Sequence, residues 1–174
     1  MSYIRPVILQ TDRLYLRRPT PDDAAFMLRL VNEPSWIEYI GDRKVHTLED
    51  ARNYLLNGTI KSFETYEFGF AIVILKQSDI PIGTCGFAKR DYLEDVDFGF
   101  AFYPEYTGQG YAYEAAFPML EWGKDHLGFK KVVAITVPNN LTSIKLLEKL
   151  GFYLKEDILV EGDVLNLYSK ELDV

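Results

Sequence analysis

Hydrophobic and polar residues alternate in some stretches of this chain and recur every three to four residues in others. Alternation and short apolar runs predict seven strands. They cover residues 13–18, 68–75, 80–88, 96–103, 131–137, 152–159 and 165–170. Helical spacing predicts four helices, two of which open at Thr20 and Thr47, while the others span about 111–126 and 143–150. The order β-α-α-β-β-β-α-β-α-β-β predicts an α/β (α+β) fold, with one mixed sheet and helices on its faces.

Both early helices begin with a threonine that can cap them. Thr20 is followed by Pro21 and two acids, and Thr47 is followed three residues later by Asp50. A threonine hydroxyl accepts a hydrogen bond from a free amide of the first turn, and an acid at the third position returns one. The second of these helices is predicted to end near Asn57-Gly58.

Length, charge and composition narrow the class of protein. No repeat or linker divides the 174 residues, so a single domain over residues 1–174 is expected. The formal net charge of −7 argues against a nucleic-acid partner, which needs a basic face. The chain shows no signal peptide and no run of roughly 18 apolar residues, so we expect a cytoplasmic protein without a membrane partner. His46, His126 and the single Cys85 are scattered along the chain, so no metal site is predicted.

A glycine-containing loop joins the strand at 96–103 to the helix that begins near residue 111. Its sequence is Tyr103-Pro104-Glu105-Tyr106-Thr107-Gly108-Gln109-Gly110-Tyr111-Ala112. Glycines let the backbone approach a ligand, and the free amides and partial positive charge of a helix N-terminus favour an anion. The spacing alone fits a pyrophosphate site and an ordinary tight turn equally well.

Four segments of the chain carry a more specific signal. They are Thr11-Asp12-Arg13-Leu14 with Leu16-Arg17, Ile82-Gly83, the stretch from Asp97-Phe98-Gly99-Phe100 through Pro104 to Ala115, and Asn140-Leu141-Thr142-Ser143 leading to Leu147-Glu148-Lys149-Leu150-Gly151-Phe152. In this order the chain resembles the GNAT superfamily of N-acetyltransferases, in the branch of the ribosomal-protein-alanine N-acetyltransferases. The resemblance implies a mostly antiparallel sheet of about seven strands with about four helices, in which the fourth and fifth strands splay apart.

The same resemblance implies that acetyl-CoA is the co-substrate. Its expected contacts are Gly108, Gln109, Gly110, Tyr111 and Ala112 for the pyrophosphate, Phe100 and Phe102 on the fourth strand, and Asn140 and Ser143 after the fifth. The amide-rich arm of the coenzyme would enter between the splayed strands and pair with their backbone. Asn140 suits contact with that arm, a helix cap, or both roles together. Thr107 stands where the superfamily pattern has glutamine or arginine, so one side-chain donor is missing.

Asp97 is the candidate general base for the reaction that the resemblance implies. Alternation places Asp97 on one face of its strand with Gly99, Ala101 and Tyr103, where an acid can border a cleft. An ammonium group with a pKa near 10 must lose a proton before it attacks a thioester, and a base supplies that step directly or through water. A solvated strand carboxylate without a catalytic role fits the same pattern.

The helix predicted after the fifth strand offers one further candidate. Many superfamily members place there a tyrosine that protonates the departing thiolate, and this chain has Leu147 at that position. Ser143, one turn earlier, either donates a hydrogen bond to the sulfur or bonds back to its own helix.

The acceptor is expected to be a primary amine, bound near the residues between the first two helices. Trp36 and Tyr39 are candidate acceptor contacts, and side-chain packing is the alternative for both. A protein N-terminus, a polyamine and a small metabolite amine all remain open as acceptors. Direct transfer by a monomer or a homodimer is the favoured hypothesis. The alternative from another class is a non-catalytic acyl-CoA-binding regulatory domain, which the departures at Thr107 and Leu147 support.

Overall fold

The structure is a computed structural model, which describes residues 6–173. Its strands are β1 Val7–Gln10, β2 Leu14–Arg17, β3 Phe70–Leu75, β4 Ile80–Ala88, β5 Asp97–Phe102, β6 Lys131–Thr136, β7 Tyr153–Val160 and β8 Asp163–Glu171. Its helices are α1 Ala24–Val31, α2 Pro34–Tyr39, α3 Leu48–Leu55, α4 Lys61–Tyr66, α5 Tyr111–Leu127 and α6 Leu141–Lys149. Short 3₁₀ turns at Pro21–Asp23 and Pro104–Tyr106 and a π-helical turn at Leu56–Ile60 complete the described elements.

The predicted mixed, mostly antiparallel fold is confirmed, with two short elements that the sequence did not predict. Strand β1 is one of them, and it lies at the edge of the sheet without a fully buried residue. Helix α2 is the other, and none of its six residues is buried. Neither element has the buried stripe that makes a helix or a strand visible as a periodic pattern.

Both predicted threonine caps are present, and the helix that Thr47 begins ends close to the predicted position. Thr20 and Thr47 each form a capping box, with Asp23 and Asp50 as the returning acids. The predicted end near Asn57-Gly58 is confirmed, because α3 ends at Leu55 and the backbone leaves helical geometry at Gly58 (φ −105°, ψ −106°). The kinked turn at Leu56–Ile60 joins α3 to α4, which begins at Lys61.

The sheet has the order β1-β2-β3-β4-β5-β6-β8-β7. Every neighbouring pair of strands is antiparallel except β5 and β6, which are parallel. Six residue pairs join β4 to β5, whereas a single pair, Asp97 with Val133, joins β5 to β6. The predicted splay of the two strands is therefore confirmed. They are the fifth and sixth strands, because β1 precedes them.

Two hydrophobic clusters cover the two faces of the sheet. One face packs against α5 and α6, and Phe98 with the partly buried Phe100 and Phe102 belongs to it. The other face packs against α1 and α3, and Tyr103 and Ala101 belong to it. The alternation predicted for β5 thus places the acid-bearing face of this strand under α1 and α3. Among residues 6–173, no helix has both the length and the apolar character needed to cross a bilayer.

Candidate active site

An opening lies between β5 and β6, beyond their single residue pair. The amide of Val133 donates to the carbonyl of Val96 over 3.0 Å, and the amide of Tyr103 donates toward β4, to Ile82, over 2.9 Å. Because backbone groups of successive strand residues point to opposite sides, even-numbered residues of β5 direct their amides toward β6. The amides of Phe100 and Phe102 therefore face the opening and have no partner on β6.

The glycine loop lies at the end of β5 that borders this opening. Gly108 and Gly110 have φ of 74° and 83°, in the left-handed region that favours glycine. Gly110 is the N-cap of α5, and no side chain caps the helix. Within residues 6–173, the amides of residues 108–113 have no hydrogen-bond partner. This run of free donors at a helix N-terminus has the chemistry that a diphosphate requires.

Glu114, in the first turn of α5, is braced by the loop before β2. Its carboxylate accepts hydrogen bonds from the Arg13 amide over 3.0 Å, from the Arg13 Nε over 2.7 Å, and from the Thr11 hydroxyl over 2.5 Å. Burial and these hydrogen bonds have opposite effects on the pKa of Glu114. Burial raises the pKa, but the hydrogen bonds from Thr11 and Arg13 outweigh burial and lower it below its usual value. The carboxylate is therefore a charged anchor that fixes the start of α5.

Two cationic side chains lie over the rings of the two tyrosines in the first turn of α5. The Arg13 guanidinium lies 4.2 Å from the Tyr111 ring centroid, and the Lys149 ammonium of α6 lies 4.2 Å from that of Tyr113. The charge of Arg13 is balanced by Glu114, so Lys149 is the one of the two that adds positive charge beside the free amides of a chain with a net charge of −7. The arrangement fits an anionic group at this end of α5.

Asp97 is 3% exposed and lies at the point where β5 and β6 part. The Arg90 Nε donates to Oδ2 of Asp97 over 2.9 Å. Burial raises the pKa of Asp97 to about 6, although the charge of Arg90 and the nearby Ile135 amide oppose the rise. Oδ1 is buried and accepts no hydrogen bond of normal geometry from the described residues. A buried oxygen without a donor has strong affinity for an N–H or O–H group brought by a ligand or water.

The predicted acceptor contacts lie on the α1 and α3 side of the sheet. Trp36 packs on the cluster that contains Ala101 and Tyr103, so it shares a face with Asp97. Its Nε1 is buried and has no partner among residues 6–173. Tyr39 ends the same helix and is partly buried, but it is not among the described residues packed on that cluster. The structure thus places Trp36 on this face of β5, whereas none of the described packing contacts of the cluster involves Tyr39.

Asn140 and Ser143 lie where the chain leaves β6. Because β5 and β6 are parallel, their carboxyl ends lead into α5 and α6 at the same edge of the sheet. Asn140 caps α6 by accepting from the Ser143 amide over 3.4 Å, which confirms the cap that the sequence allowed. The Ser143 hydroxyl makes no hydrogen bond to residues 6–173, so the alternative of bonding back to its helix is not realised. Leu147 is 1% exposed and belongs to the core.

Sequence reasoning missed two arginines of the site. Arg13 was part of a recognised segment, but its partner Glu114 is 101 residues away, and no local pattern links them. Arg90 lies in the loop before β5, seven residues from Asp97, with no periodicity to assign it a partner. Only a general rule of protein chemistry could have indicated these arginines, because a buried carboxylate commonly has a cation nearby.

The fold and sequence match known acetyltransferases. A family model described as Acetyltransferase (GNAT) domain matches residues 13–153. A protein of Bacillus licheniformis named Uncharacterized N-acetyltransferase p20 is 29% identical over an alignment 170 residues long, which covers 94% of this chain and 94% of that protein.

Solved acetyltransferase structures share the fold. The acetyltransferase from Agrobacterium tumefaciens is 21% identical with a TM-score of 0.82, covering 99% of this chain and 98% of its own. RimL, an alpha-N-protein acetyltransferase solved in complex with coenzyme A, is 17% identical with a TM-score of 0.80, covering 97% of this chain and 99% of its own.

Proposed function

The chain belongs to the GNAT acetyltransferase family, and we propose that it moves an acetyl group from acetyl-CoA directly onto a primary amine. One observation carries this proposal more than any other. Free main-chain donors line the opening from Phe100 on β5 to the glycine loop, and the buried carboxylate of Asp97 lies at the other end of β5, where its Oδ1 accepts no hydrogen bond of normal geometry from the described residues. The first feature suits a coenzyme with a diphosphate and amides, and the second suits an amine that must lose a proton.

The coenzyme is proposed to lie along the opening between β5 and β6. Amides of residues 108–112 would hold its pyrophosphate, and Lys149 would add positive charge beside them. Its amide-rich arm would pair with the backbone of Phe100 and Phe102, as an added strand does. Thr107 donates its hydroxyl to the Pro104 carbonyl over 2.8 Å and contributes nothing here, so the backbone supplies the binding.

The proposed reaction is a direct acyl transfer. Asp97 takes a proton from the ammonium, directly or through one water, and the amine nitrogen then bonds to the thioester carbonyl carbon. The negative charge that develops on the carbonyl oxygen is stabilised by the Phe100 amide. The carbon–sulfur bond breaks, the second proton of the attacking nitrogen passes to the departing sulfur, and the Ser143 hydroxyl donates a hydrogen bond to that sulfur, so the products are the amide and the CoA thiol. A dedicated acid is unnecessary because a thiolate is a good leaving group, which agrees with the buried Leu147 at the family's tyrosine position.

The acceptor is proposed to approach over Asp97 from the side of α1, α2 and α3. Trp36 fits this role because it packs on the same face and its buried Nε1 has no hydrogen-bond partner in the described part of the chain. Tyr39 is retained as a candidate contact at the end of α2. The proposal further takes residues 1–174 as one catalytic domain, acting in the cytoplasm as a monomer or homodimer without a metal, nucleic acid or membrane.

Two measurements test the proposal in sequence. Calorimetry with acetyl-CoA tests binding, and absence of heat with folded protein overturns the coenzyme site. Release of free CoA in the presence of a panel of primary amines, followed with a thiol-detecting reagent, then tests transfer. Binding without amine-dependent release would instead identify a non-catalytic acyl-CoA-binding domain.

A further inference from the structure

Phe70 is a large apolar side chain that core packing does not explain. It begins β3 and is partly buried, but it is not among the described residues that pack on either hydrophobic cluster. Ile72 and Ile74, two and four residues later on β3, belong to the cluster under α1 and α3. Because alternate residues of a strand share a face, Phe70 points to the same side of the sheet as Asp97.

Two glycines let the Phe70 ring lie across the neighbouring strands. Phe70 pairs with Gly86 on β4, and Gly86 pairs with Gly99 on β5. A Cβ at Gly99 would lie 3.0 Å from Cε1 and 3.4 Å from Cζ of this ring, so the outer edge of the ring takes the place of a side chain there. A Cβ at Gly86 would lie 2.9 Å from Cα of Phe70 and would collide with the Gly69 carbonyl. The two glycines thus give the ring a flat path from β3 to β5.

Gly99 lies between the candidate base and the amide proposed to stabilise the oxyanion. It is two residues after Asp97 and directly before Phe100, whose amide faces the opening. Residues two apart on a strand face the same side and are about 7 Å apart. The outer edge of Phe70 therefore lies beside the Asp97 carboxylate, on the path that the amine nitrogen would take to the thioester. The ring edge, Gly99 and Ala101, which continues the same face, form an apolar floor there.

A threonine holds the backbone of Phe70 in place. Strand β2 pairs with residues 72–75 of β3 and does not reach Phe70. The Thr59 hydroxyl, in the turn before α4, accepts a hydrogen bond from the Phe70 amide over 2.7 Å and donates one to the Phe70 carbonyl over 2.9 Å. Thr59 thus replaces a strand partner, and the ring is held in position before a ligand binds. A preformed contact of this kind costs little ordering on binding.

The apolar floor suits hydrocarbon and disfavours polar substituents. Phenylalanine, glycine and alanine have no polar side-chain atom, and Thr59 already bonds both backbone groups of Phe70. A hydroxyl or a charged group held against the floor would lose water without gaining a partner. Methylene groups, in contrast, gain by leaving water.

We infer that the amine acceptor carries a hydrocarbon group on the carbons next to its nitrogen, and that Phe70 is the specificity-determining residue that contacts this group. The inference rests on the proposed function and names the substrate class of the same site. The nitrogen would lie near Oδ1 of Asp97, and the hydrocarbon would lie on the apolar floor. An alkylamine and a peptide whose first side chain is apolar both present this chemistry.

Matched short linear amines of equal length provide the first test. Release of CoA is measured with amines that end in a methyl group, a hydroxyl, a carboxylate or a second ammonium. We expect kcat/KM to be highest for the methyl-ended amine, by about tenfold over the hydroxyl-ended one. It should also rise about fourfold with each methylene that the ring covers. Equal or better use of the hydroxyl-ended or charged amines overturns the inference for free amines.

Two tripeptides that differ only in a first residue of leucine or serine test the other source of the same chemistry. A preference of about tenfold for the leucine peptide, with weak use of every alkylamine, supports the inference and identifies a peptide N-terminus as the acceptor. A dependence on chain length among alkylamines, with weak use of both peptides, supports it and identifies a small amine. Acetylation without a hydrocarbon preference in either series overturns it.

Variants assign the preference to the Phe70 ring. Phe70→Ala should reduce the preference for hydrocarbon over hydroxyl to about twofold, through KM for the amine, and Phe70→Leu should retain part of it. Gly99→Ala should have an effect similar to that of Phe70→Ala, because its Cβ would push the ring edge away from β5. The Kd for acetyl-CoA, measured by calorimetry, should stay unchanged in both Phe70 variants.

Phe129→Leu is the matched control for Phe70→Leu. Phe129 is also partly buried, but it packs on the opposite face of the sheet, against Phe68 and Phe87. This variant should keep the wild-type preference. If the preference persists unchanged in Phe70→Ala and in Gly99→Ala, the inference is wrong. If no amine or peptide supports CoA release, the proposed function itself fails and the inference falls with it, which is a different result.

Discussion

The Nε of Arg90 lies 2.9 Å from Oδ2 of Asp97, and the opposite oxygen of the same carboxylate is buried and accepts no hydrogen bond of normal geometry from residues 6–173. The ion pair holds the side chain in one orientation, and it leaves one basic oxygen for a ligand. Burial still outweighs the pair, so the pKa of Asp97 is raised to about 6. The carboxylate therefore changes its charge near neutral pH, where a general base is most useful.

Protonation of Asp97 should lower the activity below about pH 6. A base must be unprotonated, so kcat/KM should rise by about tenfold between pH 5 and 7, with an apparent pKa near 6, in addition to the slope from the amine itself. Asp97→Asn should remove this limb and slow the reaction by about 10²-fold or more. The measurement is the pH profile of CoA release for both proteins.

A neighbouring acid provides the control for this prediction. Glu94 is exposed in the loop before β5, so Glu94→Gln should keep the wild-type profile. A limb near pH 6 that persists in Asp97→Asn would exclude Asp97 as the base.

Gly110→Ala should weaken acetyl-CoA binding by about tenfold. Gly110 has φ of 83°, which costs an alanine about 1 kcal/mol or more, and its added Cβ would lie 3.4 Å from Nη2 of Arg13. Relief of that strain would turn the amides of the loop away from the diphosphate. Calorimetry with acetyl-CoA measures the change in Kd.

Gly162→Ala is the matched control for the loop variant. Gly162 has φ of 88° in the turn between β7 and β8, and an added Cβ there would meet no atom within 4 Å. It should lose similar stability with unchanged Kd. The loop is not the anion site if the two variants bind acetyl-CoA equally well.

Ser143→Ala should lower kcat about three- to tenfold, with little change in the Kd for acetyl-CoA. The hydroxyl has no hydrogen-bond partner among the described residues, so its loss removes one hydrogen bond to the leaving sulfur and breaks none within the described chain. Thr142→Ala is the control, because Thr142 is exposed one residue earlier on α6. Single-turnover and steady-state rates of CoA release distinguish the two variants, and equal rates for both would remove Ser143 from the reaction.

Much of the fold could be predicted because its signals are local. Each of these signals lies within ten consecutive residues. They are the capping threonines, the apolar alternation of β5 and the glycine loop before α5. The same is true of the cap at Asn140. Sequence periodicity reports buried faces, and these elements have them.

The remainder could not be predicted, for two physical reasons. Strand β1 and helix α2 bury no residue fully, so no periodic pattern marks them. The pairing of Arg13 with Glu114 depends on contacts across 101 residues, and the burial of Asp97 depends on how its strand packs under α3. Those arrangements follow from the assembled sheet and not from any one stretch of sequence.

The single residue pair between β5 and β6 divides the sheet into two hydrogen-bonded blocks, one of five strands and one of three. Backbone amides exchange with solvent through local opening, and a boundary with few ladder bonds is where such openings begin. Deuterium uptake along β6 and the facing edge of β5 should therefore be faster than in β3 or β4 when the protein is alone. A bound coenzyme that bridges both blocks would slow that uptake, so occupancy of the opening would make the two blocks behave as one cooperative unit.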